Sequence, residues 1–519
     1  MSDPRVVDAL QKRIPKLLDV HRLPGMAIAI CDASAVLWSG GFGTTRDEGG
    51  EPITPQTAFG VQSCSKMYTA TAVLLAVQAG LVELDVPITR YLPEFQVNSS
   101  FEEHPERLIT LRHLLSHTAG FTHEAPVGSN YLVGRESFTA HCRSISETWL
   151  RFPVGHHYQY SNLGIDLAGY VLQRRSGQPF HEFVRRVLLE PLGLEKTTFD
   201  VRKIMGDRSR AIGHTPGHSR VPVRVPMVAA GGLYTSAEDA CRYVQFHLSG
   251  GASLLDPALL AELYQVPGAP DRDEGYGLGT ALRRADDIPV RGHGGGGFGF
   301  LSDMYWAPEA GLGVVVLTNS TSHPLQWELA SEIFRDLIPS QPRPRTPPPK
   351  TVPLSAESMA AMTGDYVGRS NDPETFTVEG DRGILIRDDG RHPVEFIGPT
   401  RFRIGQEQYI FRDFDDAGRP SYLERAADGF VRYRNDLPET TPAPPDGPWN
   451  RDYVIRVNGV RDGTARLRKE HGYLFFDYWD GGTLRLHEHT RGVYVSATGE
   501  VLDLARTPPT YANIRLHPL

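Results

Sequence analysis

Apolar residues recur at helical spacing over residues 6–20, so the chain is expected to open with an amphipathic helix. Pro24-Gly25 then leads into Met26-Ala-Ile-Ala-Ile30, an unbroken apolar run that reads as a buried strand. A turn near Asp32 joins it to Ala35-Val-Leu-Trp38 and Gly40-Gly-Phe-Gly43, completing a hairpin. The segment Thr69–Ala79 is rich in good helix formers and is stopped by Gly80. Helical patterns follow at 110–120, capped by Thr110, at 135–150, at 163–176, closed by Gly177, at 236–249 and at 325–338. Residues 201–230 are loop-rich, and Tyr276–Leu282, Leu301–Trp306 and Gly313–Thr318 read as strands. With strands at both ends and helices between, residues 1–338 are expected to form an α/β domain. Its terminal strands would share one antiparallel sheet.

The pattern then changes. Residues 339–353 are proline-rich and read as an extended linker, and 437–448 form a second such stretch. Between and after them lie short alternating segments such as Thr375–Val378, Gly383–Ile386, Tyr409–Phe411 and Tyr473–Phe476. That is an all-β pattern. A weak echo relates Gly364-Asp-Tyr-Val367 to Arg451-Asp-Tyr-Val454. Residues 354–436 and 449–519 are therefore expected to be two small barrels or two halves of one.

Composition narrows the function. A 519-residue chain that is 40% hydrophobic and 22% charged buries a large core in two or three domains. A net charge of −8 argues against a nucleic-acid partner or an anionic membrane surface. No run approaches the ~18 apolar residues of a membrane span, and the N-terminus lacks the pattern of a signal peptide. Cys31, Cys64, Cys142 and Cys241 have neither metal nor disulfide spacing, so a cytoplasmic location is expected.

Three stretches carry candidate chemistry. Ser63 and Lys66 stand three apart at the head of a helix, so they share a face and a neutral amine could take the serine proton. The plainer reading is that Ser63 caps the helix. Cys64 adjoins the serine but points about 100° away on a helix. Tyr160-Ser161-Asn162 follows a Pro-Gly turn. Its tyrosine could relay a proton, or Asn162 could simply be a helix N-cap. In Arg291-Gly-His293-Gly-Gly-Gly-Gly297, glycines let backbone N–H groups approach an oxyanion. A dinucleotide fingerprint is rejected there because the run precedes a strand and not a helix. His113 and His117 have zinc-like spacing, but no Glu follows His113.

Together, Ser63-x-x-Lys66, Tyr160-Ser-Asn162 and His293-Gly-Gly295 resemble the serine penicillin-recognising hydrolases. These include class C β-lactamases, D,D-carboxypeptidases, D-aminopeptidases and esterases. Connecting phrases at 111–120, 191–194, 230–236 and 314–319 look similar too, and the resemblance covers roughly residues 10–335. It implies a sheet flanked by helices, an all-helical lobe, and a site between them that needs no cofactor and no metal. It also implies an acyl-enzyme on Ser63, acid–base work by Lys66 and Tyr160, and Asn162 holding Lys66 and the substrate amide. Substrate would lie along His293 and Gly295, with oxyanion N–H groups from Ser63 and Gly296. Under this resemblance His113 and His117 are structural.

His293 stands where many relatives carry lysine, which suits a D-aminopeptidase or esterase better than a β-lactamase. The chain length and lipocalin-like β tail resemble D-aminopeptidases, in which a tail loop reads the substrate amine; Asp477–Asp480 with Gly481-Gly482 is one candidate. The expected activity is hydrolysis of small peptide, amide or ester substrates next to a D-residue. A penicillin-binding-protein-type thioesterase that releases and cyclises a nonribosomal peptide is the alternative, and its partner would be a peptidyl carrier protein. A broad carboxylesterase and a non-catalytic binding protein also stay open, as does a homodimer.

Overall fold

The structure is a computed structural model. It describes residues 4–519 except 124, 129–135, 216–221, 270, 271, 273, 298, 322, 340–348, 369–372, 428, 430, 436–448, 458, 459, 471, 472, 478–482, 497, 498 and 513. The whole of the second proline-rich stretch, 437–448, and the candidate tail loop beyond Asp477 lie outside the described residues.

Gly25–Asp32 is the apolar run expected as a buried strand. Its alternate residues enter two different cores: Ala27, Ala29 and Cys31 one, Met26, Ile28 and Ile30 the other. A strand covered on both faces needs no polar alternation. It pairs antiparallel with Val36–Gly43 on one side and Leu312–Thr318 on the other. The seven-stranded sheet continues through Phe300–Ala307, Ile288–Gly297 and Ala281–Ala285 to Gly275–Tyr276. So the first and last strands of the domain are neighbours, as their positions predict. Helices Pro4–His21 and Leu325–Leu337 cover the outer face. Helix Ala237–Leu248 packs on the inner face, and Ser65–Gln78 joins that side of the sheet to a lobe built on Asn162–Ser176.

Two sequence expectations change. The strand read at Tyr276–Leu282 is interrupted: the Gly277 N–H bonds to the Thr280 carbonyl, and Gly279 sits at φ +64° in the turn. The glycine run after His293 does precede a strand, Phe300–Ala307, but it also forms one itself, as the end of Ile288–Gly297. Glycine costs a strand conformational entropy, which pairing with Phe300–Ala307 along seven residue pairs offsets here.

The tail forms two further antiparallel sheets of nine strands each among the described residues. In each, the echoed Asp-Tyr-Val strand is the pivot. Gly364–Val367 lies between Pro373–Glu379 and Val431–Arg434. Arg451–Val457 lies between Val460–Glu470 and His517–Pro518. The echoed tyrosines, Tyr366 and Tyr453, are fully buried. The two edge strands of the first tail sheet, Gly390–Pro393 and Glu395–Phe396, are consecutive in sequence yet stand at opposite ends of the strand order. The sheet must therefore curl until its ends nearly meet. Ile514–Arg515 and His517–Pro518 close the second sheet in the same way. No helix among the described residues is long and apolar enough to cross a membrane.

Candidate active site

Ser63 sits in a tight turn, Gln62–Cys64, that feeds helix Ser65–Gln78. The preceding residue, Gln62, is held at φ +48°, a conformation side chains disfavour and that clusters at functional sites. Cys64 points away from the cavity and donates its thiol hydrogen to the His293 carbonyl at 3.0 Å.

Lys66 is fully buried. Its Nζ lies 3.0 Å from Ser63 Oγ, 2.8 Å from Asn162 Oδ1 and 2.9 Å from the Ala230 carbonyl oxygen. This triple contact satisfies both charge states. An ammonium donates to all three oxygens. A neutral amine donates to the amide and the carbonyl, which can only accept, and its lone pair is left facing the Ser63 hydroxyl. The Ala230 carbonyl is itself held. The neighbouring Ala230 N–H donates to Asp166 Oδ1 at 3.0 Å, one helical turn beyond Asn162, and Asp166 Oδ2 meets the buried His141 at 3.2 Å.

Asn162 is not the N-cap of its helix. Ser161 is, accepting from the Leu163 N–H at 3.2 Å and donating to the Thr122 carbonyl at 2.5 Å. That leaves the Asn162 amide for Lys66, with its Nδ2 toward His123 Nε2 at 3.4 Å. The Tyr160 ring centroid lies 4.8 Å from Lys66 Nζ. His117 brackets this tyrosine. Its carbonyl accepts the Gln159 N–H at 2.8 Å and its Nδ1 accepts the Ser161 N–H at 3.2 Å, while its ring packs 4.4 Å from Tyr160. The structural role expected for His117 thus falls on the site itself. Its unusual φ of +60° is the mark of that role, and a residue name does not reveal φ. His113 instead closes the capping box with Thr110.

His293 is buried at the back of the site. Its Nδ1 donates to the Gly294 carbonyl at 2.5 Å, which leaves Nε2 to accept from the Tyr276 hydroxyl at 2.9 Å. Burial, with the Lys66 charge adding to it, pushes its pKa down to about 3, so the ring is neutral. Gly295 has a packing reason: a Cβ there would overlap the Val61 carbonyl and crowd the Ser302 hydroxyl. Only glycine lets this strand lie against the turn that carries Ser63.

A cavity of about 190 Å³ opens over Ser63, lined by Gln62, Tyr160, Asn162, Gly296, His123 and Met227 among others. Of the residues singled out from sequence, Ser63, Tyr160, Asn162 and Gly296 line it, with Lys66 bonded to Ser63 at its base. His293 and Gly295 do not line it; they stand behind it. His117 was read only as structural, and Tyr276, His123, Gln62 and Asp166 were missed, because none of those four is one of the residues that define a motif.

This arrangement is that of a serine hydrolase with a lysine beside its nucleophile. Residues 10–331 match the Beta-lactamase family model, and the chain belongs to that family. Penicillin-binding protein 4 of Amycolatopsis lactamdurans is 27% identical over 69% of this chain and 96% of its own length. Esterase EstB of Burkholderia gladioli is 27% identical over 60% of this chain and 91% of its own. The structure of SurE with D-Leu superposes with a TM-score of 0.60 at 25% identity, covering 83% of this chain and all of that one.

Proposed function

We propose that this enzyme forms an acyl-enzyme on Ser63 and cleaves amide or ester bonds whose carbonyl belongs to a D-amino-acid residue, as D-aminopeptidase-like hydrolases do. The observation that carries this reading is the Lys66 geometry, which leaves an amine lone pair facing Ser63 Oγ. In the first half-reaction the Oγ–carbonyl bond forms and Lys66 receives the hydroxyl proton. Tyr160 passes a proton to the leaving nitrogen or oxygen as its bond to carbon breaks. The Ser63 and Gly296 N–H groups take the oxyanion. Water then reverses the sequence. The similarity to SurE with D-Leu supports a D-residue, and the similarity to an esterase supports oxygen as well as nitrogen leaving groups. A cytoplasmic site of action suits the four cysteines, which are buried and joined by no disulfide.

One observation favours a second reading. No carboxylate stands among the described residues of the cavity wall, so a free α-ammonium would meet no counter-charge among them. A D-residue whose nitrogen is already acylated fits that wall better. Such an acyl group is also what a peptide-releasing thioesterase would carry, with a peptidyl carrier protein as donor and an amine in place of water.

D-alanine p-nitroanilide, its N-acetyl form and the L-isomer separate the readings, with Ser63→Ala as control. Cleavage of the free-amine D-compound alone establishes the aminopeptidase. Preference for the blocked D-compound establishes the second reading. Preference for the L-isomer sinks both, as does full activity of Ser63→Ala, and rapid turnover of penicillin would sink the assignment to this branch.

A further inference from the structure

Tyr160 hangs at the end of a segment that both tail sheets grip. Arg151 is buried and pairs with Glu500 of the second tail sheet at 3.2 Å. A Cβ on Gly499, next to that glutamate, would overlap the Arg151 backbone, so the two chains touch directly. At the start of the segment the Glu147 carbonyl accepts from Arg506 at 2.9 Å, and Trp149 packs against His489.

The first tail sheet grips nearer to Tyr160. His157 stacks on Phe152 with ring centroids 3.8 Å apart, and its Nε2 meets the Tyr433 hydroxyl at 2.5 Å. The His156 and His157 Nδ1 atoms are 3.0 Å apart, and His156 Nε2 lies 2.9 Å from Asp413 Oδ2. Both rings also face Tyr422. Burial pushes the His157 pKa down to about 3 and holds the Tyr433 phenol well above its ordinary value, so both are neutral. With His157 neutral, one of its ring nitrogens donates and the other accepts, and one order of hydrogen bonds that fits these contacts runs from Tyr433 to Asp413. The Tyr433 O–H donates to His157 Nε2, His157 Nδ1–H donates to His156 Nδ1, and His156 Nε2–H donates to Asp413. Three residues later comes Tyr160.

The tail also reaches the opposite wall. Glu424 pairs with Arg272 at 3.5 Å, four residues before Tyr276, the residue bonded to His293. Among the described residues, however, no tail side chain lines the cavity.

We propose that the C-terminal sheets act on the reaction from outside the cavity: they clamp the segment 147–159 through His157, Tyr433 and the Arg151–Glu500 pair, and so hold Tyr160 over Ser63 and Lys66. His157 and Tyr433 are then positioning residues, and the tail is part of the catalytic machinery without entering it. This rests on Tyr160 relaying the proton.

The test is a double-mutant cycle on the full-length enzyme, read as kcat and KM on the best substrate of the panel above. Tyr433→Phe and His157→Ala should each lower kcat about tenfold and leave KM within about twofold, because displacing a catalytic group by a fraction of an ångström costs rate more than binding. His157→Gln should recover most of the loss, since its carboxamide oxygen can take the Tyr433 hydrogen at the place of Nε2. Combined with Tyr160→Phe, His157→Ala should have no further effect, because it acts only through that tyrosine. Additive losses, unchanged kcat in both single variants, or a loss that tracks the melting temperature and is not recovered by His157→Gln would each overturn the clamp. If Tyr160→Phe itself turns over like the wild type, the assigned role of Tyr160 falls and takes the clamp with it. That result is distinct from a clamp that fails while Tyr160 matters.

Discussion

The seven-stranded sheet and the two tail sheets are all antiparallel, yet they are built on opposite plans. The first is open and covered on both faces, so an interior strand such as Gly25–Asp32 carries apolar residues at consecutive positions, and its second core belongs to the flanking helices. The tail sheets curl on themselves. Each keeps one buried face, as in Thr483–Thr490, where Leu484 and Leu486 are buried and Arg485 and His487 are not. An open sheet can spend one strand on a job other than packing: Ile288–Gly297 gives up its side chains to lie against the Ser63 turn. A curled sheet has its interior filled and can influence chemistry only through what its outer surface touches. The Tyr422–Tyr433 cluster that meets His157 is accordingly separate from the aromatic core of the same sheet.

The sharpest way to break this contrast is to empty the tail interior. Phe402 is fully buried among Phe376, Phe396, Tyr409 and Phe411. Phe402→Ala should cost about 3–5 kcal/mol of stability in the first tail sheet, measured by urea denaturation. At temperatures where the sheet stays folded, kcat should be unchanged. A fall in kcat with the fold intact would show that core and clamp are one unit.

Gly295→Ala tests the other plan. The added methyl must displace the Val61 carbonyl and with it the turn carrying Ser63. Overpacking of this kind costs about 1–3 kcal/mol, and misplacing the nucleophile should lower kcat about 100-fold. Fluorophosphonate labelling of Ser63 should slow in parallel. Labelling at the wild-type rate would mean that the strand, and not the turn, gives way.

How much of this was legible follows from the same contrast. Ser63, Lys66, Tyr160 and Asn162 stand in short motifs whose spacing a helix or a turn fixes locally, and the structure brings them together. The curling of the tail could be read only as two alternatives, because alternation identifies a strand but not its partners. His117 and Tyr276 were illegible as site residues: their roles come from a backbone angle and from contacts across 44 and 17 positions of sequence. That the glycine run is itself a strand was hidden for a physical reason. Its low strand propensity is overridden by the close approach that only glycine permits.

The most gradual predicted effect, spread over several pH units, concerns a group that the open sheet buries behind the glycine strand. Asp303 pairs with Gly294 in the ladder, and the space that a Cβ of Gly294 would occupy is filled by the Asp303 carboxyl. Its Oδ2 is buried without a hydrogen-bond partner, and burial pushes its pKa up to about 8, with the Arg283 charge only partly opposing. Between the ordinary carboxylate range near 4 and pH 8, the folded chain therefore holds a proton at Asp303 that the unfolded chain releases. Stability from this group is complete below about pH 4 and is lost as pH rises toward 8, by at most about 1.4 kcal/mol per unit. This is the reverse of a carboxylate held in an ion pair. Asp303→Asn cannot ionise, so it should flatten the dependence of unfolding free energy on pH in that window and gain on the wild type as pH increases. Urea denaturation of both proteins at pH 5, 6, 7 and 8 reads the difference. Parallel curves would mean that Asp303 is ionised in the fold, and that the buried back of the open sheet tolerates charge as readily as the outer faces of the tail.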